Sequence, residues 1–115
     1  MLTATKDYPD SLRFGGFAFV FLKDFSSLIH EGKVMRHCVG SRSYAEEVAD
    51  GKGLIVSVRK ELNTPLYTLE ITIHKSGVWT CAQCRGIKNR TPEKADREII
   101  DQFISAVNTK QILIA

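Results

Sequence analysis

Residues 66–74 alternate between apolar and polar side chains over their whole length. This alternation is typical of a β-strand with one buried face and one exposed face. The segment Lys75-Ser76-Gly77 makes a tight connection to residues 78–85, in which Trp79, Cys81, Gln83 and Arg85 would share one face. The pattern therefore predicts an antiparallel hairpin. Four apolar positions of its first arm are assigned to the core: Tyr67, Leu69, Ile71 and Ile73.

Two other segments are predicted to be strands. Residues 17–22 form a continuous apolar run, which suits a strand buried on both faces. Residues 54–59 are rich in β-branched side chains, which favour strands. Residues 111–114 are a candidate edge strand.

Helices are predicted around the strands from their capping residues. Asp24 can cap a first helix, which Gly32 is expected to end. Ser43 and Glu46 fit a capping box for a brief second helix. Residues 91–93, Thr-Pro-Glu, start a third helix that carries an apolar stripe.

The order of these elements predicts an α+β fold. We expect an antiparallel sheet of about four strands with helices packed on one face. Residues 1–16 contain Pro9 and two glycines without a sustained period, so they are interpreted as an irregular arm. Because no linker or repeat divides the 115 residues, we expect a single domain over residues 1–115.

Composition indicates a soluble globular protein, with 43% apolar and 25% charged residues. The apolar run at 17–22 is too short to cross a membrane, and the first residues lack the pattern of a signal peptide. We therefore expect a cytoplasmic location. Three cysteines, two of them in the Cys81-x-x-Cys84 pair, argue against a secreted disulfide framework.

Charge leaves two interpretations open. The formal net charge of +3, from 16 basic and 13 acidic residues, is mild for a nucleic-acid-binding protein. Several basic residues nevertheless lie close in sequence to the candidate site, and they form either a local basic face or a solvated surface of mixed charge. They are Arg36, Arg42, Arg59, Arg85, Lys88 and Arg90.

Residues 35–44 concentrate groups with chemical potential. His37 and Cys38 titrate or react near neutral pH, and Gly40 permits unusual backbone angles. Ser41 could contribute to a site, although helix capping explains its hydroxyl equally well. The stretch is predicted to belong to a functional site.

The segment His37-Cys38-Val39-Gly40-Ser41, preceded by Glu31-Gly32, resembles a motif of the PcfJ-like family of phages and conjugative plasmids. The similarity spans about residues 17–89, and several pieces in order are more specific than any one. The resemblance implies where a site lies and brings no biochemical activity with it. The further matching pieces are residues 55–59, 65–71 and 83–86, with Asn89.

Zinc is one alternative, because histidine and cysteine are its usual structural ligands. On a strand, however, Cys81 and Cys84 would point to opposite faces about 10 Å apart. The adjacent His37 and Cys38 would also diverge. We therefore expect no metal.

A nucleophilic site is a second alternative, with Cys38 attacking and a histidine acting as base. Because His37 diverges from its neighbour, His74 or His30 would be the base. A buried, inert thiol is the competing interpretation of Cys38.

The polar face of the predicted sheet is the third candidate. Arginine forks suit phosphate or carboxylate, and Gly40 and Gly86 let backbone approach a ligand. The positions that match the family fall on this face and in residues 37–41. A solvated face with an ordinary Arg59–Glu70 pair is the competing interpretation. The polar residues of this face are Ser57, Arg59, Thr68, Glu70, Thr72, Gln83 and Arg85.

Our leading hypothesis is a phage or mobile-element accessory protein, in counter-defence or another role, that binds a nucleotide metabolite or a nucleic acid without a redox cofactor. Arg59 and Arg85 would hold the anion, Glu70 and Gln83 would select polar edges, and His37 would contact the ligand. The alternatives are a small nuclease or transferase using His37 and Glu70 in acid-base chemistry, and a non-catalytic interaction module. The predicted ligand-binding residues are Cys38, Gly40, Ser41, Arg59, Thr68, Gln83, Arg85 and Asn89.

Overall fold

The computed structural model describes residues 8–36, 48, 50–61 and 63–114. Consecutive strands pair as antiparallel neighbours in one five-stranded sheet, in the order β1-β2-β3-β4-β5. The strands are β1 (Ser11–Phe14), β2 (Phe17–Phe21), β3 (Gly53–Arg59), β4 (Pro65–Ile73) and β5 (Trp79–Arg85). The helices are α1 (Phe25–Met35) and α2 (Lys94–Asn108), and a 3-10 turn spans Ile87–Asn89.

The predicted α+β class with an antiparallel sheet is confirmed. The sheet has one strand more than expected, because residues 11–14 of the predicted irregular arm pair with β2. Gly15 and Gly16 connect the two strands with φ of +59° and +87°, which the mirror-image turns of tight hairpins require. The glycines that indicated a break in the sequence pattern are therefore a hairpin turn.

Helices α1 and α2 cover opposite faces of the sheet, not one face as predicted. Helix α2 packs on the main core, where Phe103 stacks on Phe19 with 3.9 Å between ring centroids. Helix α1 packs on the other face through Leu28, which clusters with Ile55. Strand β3 is buried on both sides, so its side chains alternate between the two layers. Within the described residues, no helix is long and apolar enough to cross a membrane.

Helix α1 begins as predicted and ends later than predicted. The Asp24 side chain accepts a 2.7 Å hydrogen bond from the backbone N–H of Ser27, and hydrogen bonds from the Ser27 hydroxyl and then from this N–H lower the pKa of its carboxyl. Gly32 does not end the helix. It is buried within α1, which continues to Met35. The left-handed residue that closes α1 is Arg36, with φ of +56°.

The outer edge of β5 is covered by a side chain from the end of α2. The Asn108 amide accepts from the Trp79 N–H and donates to the Trp79 carbonyl oxygen, both at 2.8 Å. An amide side chain thus takes the place of a neighbouring strand at this residue. Residues 111–114, predicted as an edge strand, are not in a strand.

Candidate polar site beneath and beside helix α1

The polar face predicted from the sequence is assembled by the strand register. Ser57 pairs with Thr68, and Thr68 pairs with Arg85, so the three form one row across β3, β4 and β5. In the next row Glu70 pairs with Gln83. Directly paired residues of an antiparallel sheet share a face, so these side chains lie on the α1 side.

Helix α1 adds a carboxylate to this face. Thr68 Oγ1 donates a 2.7 Å hydrogen bond to Glu31 Oε2, and Arg59 Nη2 lies 3.5 Å from Glu31 Oε1. Arg59 Nε also donates to Ser57 Oγ at 2.9 Å. The Glu31 side chain is fully buried, and desolvating its charge costs free energy. The Arg59 guanidinium and the Thr68 hydroxyl offset part of that cost. We call Glu31, Ser57, Arg59 and Thr68 the buried polar cluster.

The two arginines assigned to the anion therefore have different surroundings. Arg59 is only 15% exposed and pairs with the buried carboxylate. Arg85 is exposed at the end of β5, in line with the buried Ser57 and Thr68. Among the described residues, the Arg85 guanidinium has no ion pair.

The loop after β5 carries further polar and basic groups. Lys88 and Asn89 adopt left-handed backbone angles, with φ of +54° and +62°. The Gly86 N–H donates to the Arg90 carbonyl oxygen at 2.7 Å and closes the loop. Two successive left-handed residues other than glycine are uncommon, and such conformations cluster at functional sites.

The predicted residues His37, Cys38, Gly40 and Ser41 lie outside the described residues, as does the capping box of Ser43 and Glu46. Their convergence with the sheet face stays a prediction.

Comparison with known proteins decides the family. The family model described as PcfJ-like protein matches residues 7–100. The chain belongs to this PcfJ-like family. It is similar to an uncharacterized protein of Listeria innocua serovar 6a, Lin1253/Lin1744, with 35% identity over 96 residues that cover 82% of this chain and 20% of the relative. The chain thus spans about a fifth of that relative's length. No solved structure matches it.

In this PcfJ-like domain the cysteine pair is arranged differently from the prediction. Leu69 pairs with Cys84 and Ile71 with Cys81, so both thiols face the main core. The register shifts between Glu70 and Ile71, which inserts one extra residue into β5 and reverses the expected alternation. The argument that the two thiols point to opposite faces was wrong.

The thiols nevertheless have little nucleophilic character. Burial raises the pKa of Cys84 to about 12 and also raises the pKa of Cys81. Among the described residues, no group of three or more His, Cys, Asp or Glu side chains could hold a metal ion. His74, offered as a base, hydrogen-bonds Thr80 Oγ1 at 2.9 Å near the turn between β4 and β5.

Glu31 is the residue of the polar face that the sequence interpretation missed. A helical pattern could have found it, because Leu28, Gly32 and Met35 follow the spacing of one helix face and are buried. Glu31 shares that face, so an acid in the apolar stripe was the available signal.

Proposed function

We propose that this PcfJ-like domain binds a phosphate-bearing, nucleotide-like ligand at the exposed end of its polar face. Arg85 is the primary anion contact, and Gln83 and Asn89 add neutral hydrogen-bonding groups. The domain would act in the cytoplasm as an accessory protein of a phage or another mobile element. His37 is expected to join the site from the adjoining segment of chain.

One observation carries the proposal: Arg85 ends a row whose other members are buried and locked together. Ser57 and Thr68 are held by the Arg59–Glu31 pair, so the sheet under Arg85 is firmly supported. The planar arginine fork loses less conformational entropy for each hydrogen bond that it forms with phosphate than a lysine ammonium does. The guanidinium can then make two parallel hydrogen bonds to phosphate oxygens.

Calorimetric titration with ATP, inorganic phosphate and adenosine tests this function. We expect heat of binding with ATP and none with adenosine, because the phosphates supply the contact to Arg85. Binding of adenosine as tight as ATP would contradict a phosphate site. Absence of binding to ATP, phosphate and a single-stranded oligonucleotide alike would remove the proposal altogether.

A further inference from the structure

Four cations lie at the end of the sheet where β5 and α1 end, and we call them the basic rim: Arg36, Arg85, Lys88 and Arg90. All four are exposed. Helix α1 crosses the sheet from Ile55, which clusters with Leu28, to Thr68, which binds Glu31. It then contacts the 3-10 turn after β5 and ends at Arg36. The end of the helix and the loop thus bring their cations to the same end of the sheet.

The rim carries charge that the described protein does not neutralise. Among the described residues, none of its four side chains has an ion pair, whereas Lys23, Arg59 and Arg97 each have one. The next acid along the chain, Glu93, precedes α2, and its N–H donates to the Tyr67 hydroxyl on the opposite face. Glu70 lies one row away from Arg85 on the polar face, so the four cations of the rim still leave a local excess of positive charge in a domain of modest net charge.

The exposure of these groups selects the kind of ligand. Small ligands are usually enclosed, with most of their surface buried in a concave site. Here the side chains of the buried polar cluster hydrogen-bond one another, whereas the cations of the basic rim are exposed. Val34 and Ile87, 39% and 42% exposed, are near neighbours in sequence of Arg36 and Lys88 and offer apolar surface for sugars or bases. Outward cations with apolar side chains between them suit an extended polyanion.

We propose that the ligand is a nucleic-acid strand, held through successive phosphates by the basic rim. This inference rests on the proposed function and narrows its ligand from any nucleotide-like molecule to a polynucleotide. Arg85 takes one phosphate, and Arg36, Lys88 and Arg90 take its neighbours. Binding through phosphates would be largely independent of base sequence.

Fluorescence anisotropy with a labelled single-stranded DNA of about 12 nucleotides tests the inference. Each phosphate contact contributes about −0.7 to the slope of log K against log salt for a single strand. Four contacts predict a slope of about −3 and roughly 50-fold weaker binding when salt rises from 50 to 200 mM. ATP competes poorly in this scheme, because it engages only part of the rim.

A pair of matched double variants distinguishes binding at the basic rim from nonspecific electrostatic attraction to the whole domain. Lys88→Glu with Arg90→Glu should weaken DNA binding by at least about tenfold and halve the salt slope. Lys52→Glu with Lys75→Glu makes the same change in charge at the other end of the sheet, about 20 Å away along β5. This control should change binding less than about threefold, and circular dichroism should show both variants folded.

The outcomes distinguish the two proposals. Equal weakening by both variants, or unchanged binding by the rim variant, would overturn the nucleic-acid inference. ATP binding as tightly as DNA would also overturn it and leave the phosphate site in place. If neither probe binds, the proposed function fails together with the inference.

Discussion

Glu31 is the residue on which the α1 side of the sheet depends most. Its carboxylate is fully buried, and Arg59 and Thr68 both engage it. Removing one partner of a buried ion pair leaves the other charge uncompensated, which costs about 3–5 kcal/mol. We expect Glu31→Ala to lower the free energy of unfolding by that amount in urea denaturation. Glu31→Gln should lose less, because an amide can still accept from Thr68.

The exposed pair Arg97–Asp101 on α2 is the matched control. Its Nε–Oδ1 distance is 3.0 Å, but both side chains are well exposed, at 40% and 57%. Asp101→Ala should therefore cost less than about 1 kcal/mol. Similar losses of unfolding free energy for Glu31→Ala and Asp101→Ala would show that the contacts of Glu31 with Arg59 and Thr68 do not stabilise the fold more than an exposed ion pair does.

Cys84 makes stability sensitive to alkaline pH. Burial raises the pKa of its thiol from 9.0 to about 12, so the folded state holds a proton that the unfolded state releases first. Its contribution to stability is complete below pH 9 and is lost as pH rises from 9 to 12. Melting temperatures from pH 8 to 11 should fall more steeply for the wild type than for Cys84→Ala. Parallel curves would contradict this burial of the thiol.

At the scale of elements, the two hydrogen bonds between the Asn108 amide of α2 and the Trp79 backbone of β5 can be tested directly. Asn108→Ala removes both partners of the Trp79 backbone, and the Trp79 residue is 5% exposed. Two nearly buried backbone groups without partners should cost about 1–3 kcal/mol. Chemical denaturation of Asn108→Ala beside Gln102→Ala, an exposed position of the same helix, measures this loss. Equal stability of the two variants would show that the Asn108 hydrogen bonds do not stabilise the edge of β5.

Strands were predictable where alternation or a β-branched run was uninterrupted. The C-terminal end of α1 and the bulge in β5 were not predictable. The alternation of residues 66–73 gave β4, because only a strand places every second side chain in one layer. Gly32 looked like a helix end, yet burial of the stripe around Leu28 carries α1 on to Arg36. The extra residue in β5 leaves no mark in the sequence pattern, so the faces of Cys81 and Cys84 were assigned wrongly.

At the scale of the whole molecule, the sequence predicted which polar side chains of β4 and β5 share a face. The pairs Thr68–Arg85 and Glu70–Gln83 lie on one side as expected. What the pattern could not show is that α1 covers half of that face. A helix on the opposite side from α2 requires long-range packing of Leu28 on Ile55, which has no local signature. Arg59 therefore pairs with Glu31, whereas Arg85 is exposed.

Comparison of two substitutions at Arg85 shows whether its guanidinium binds phosphate. Binding of ATP and of single-stranded DNA should weaken in both Arg85→Lys and Arg85→Ala, because a lysine ammonium keeps the charge but cannot make a bidentate contact with phosphate. Arg85→Lys should retain intermediate affinity, and Lys75→Ala should bind like the wild type. Wild-type affinity for both probes in Arg85→Lys and Arg85→Ala alike would show that the exposed end of the polar face is only a solvated surface.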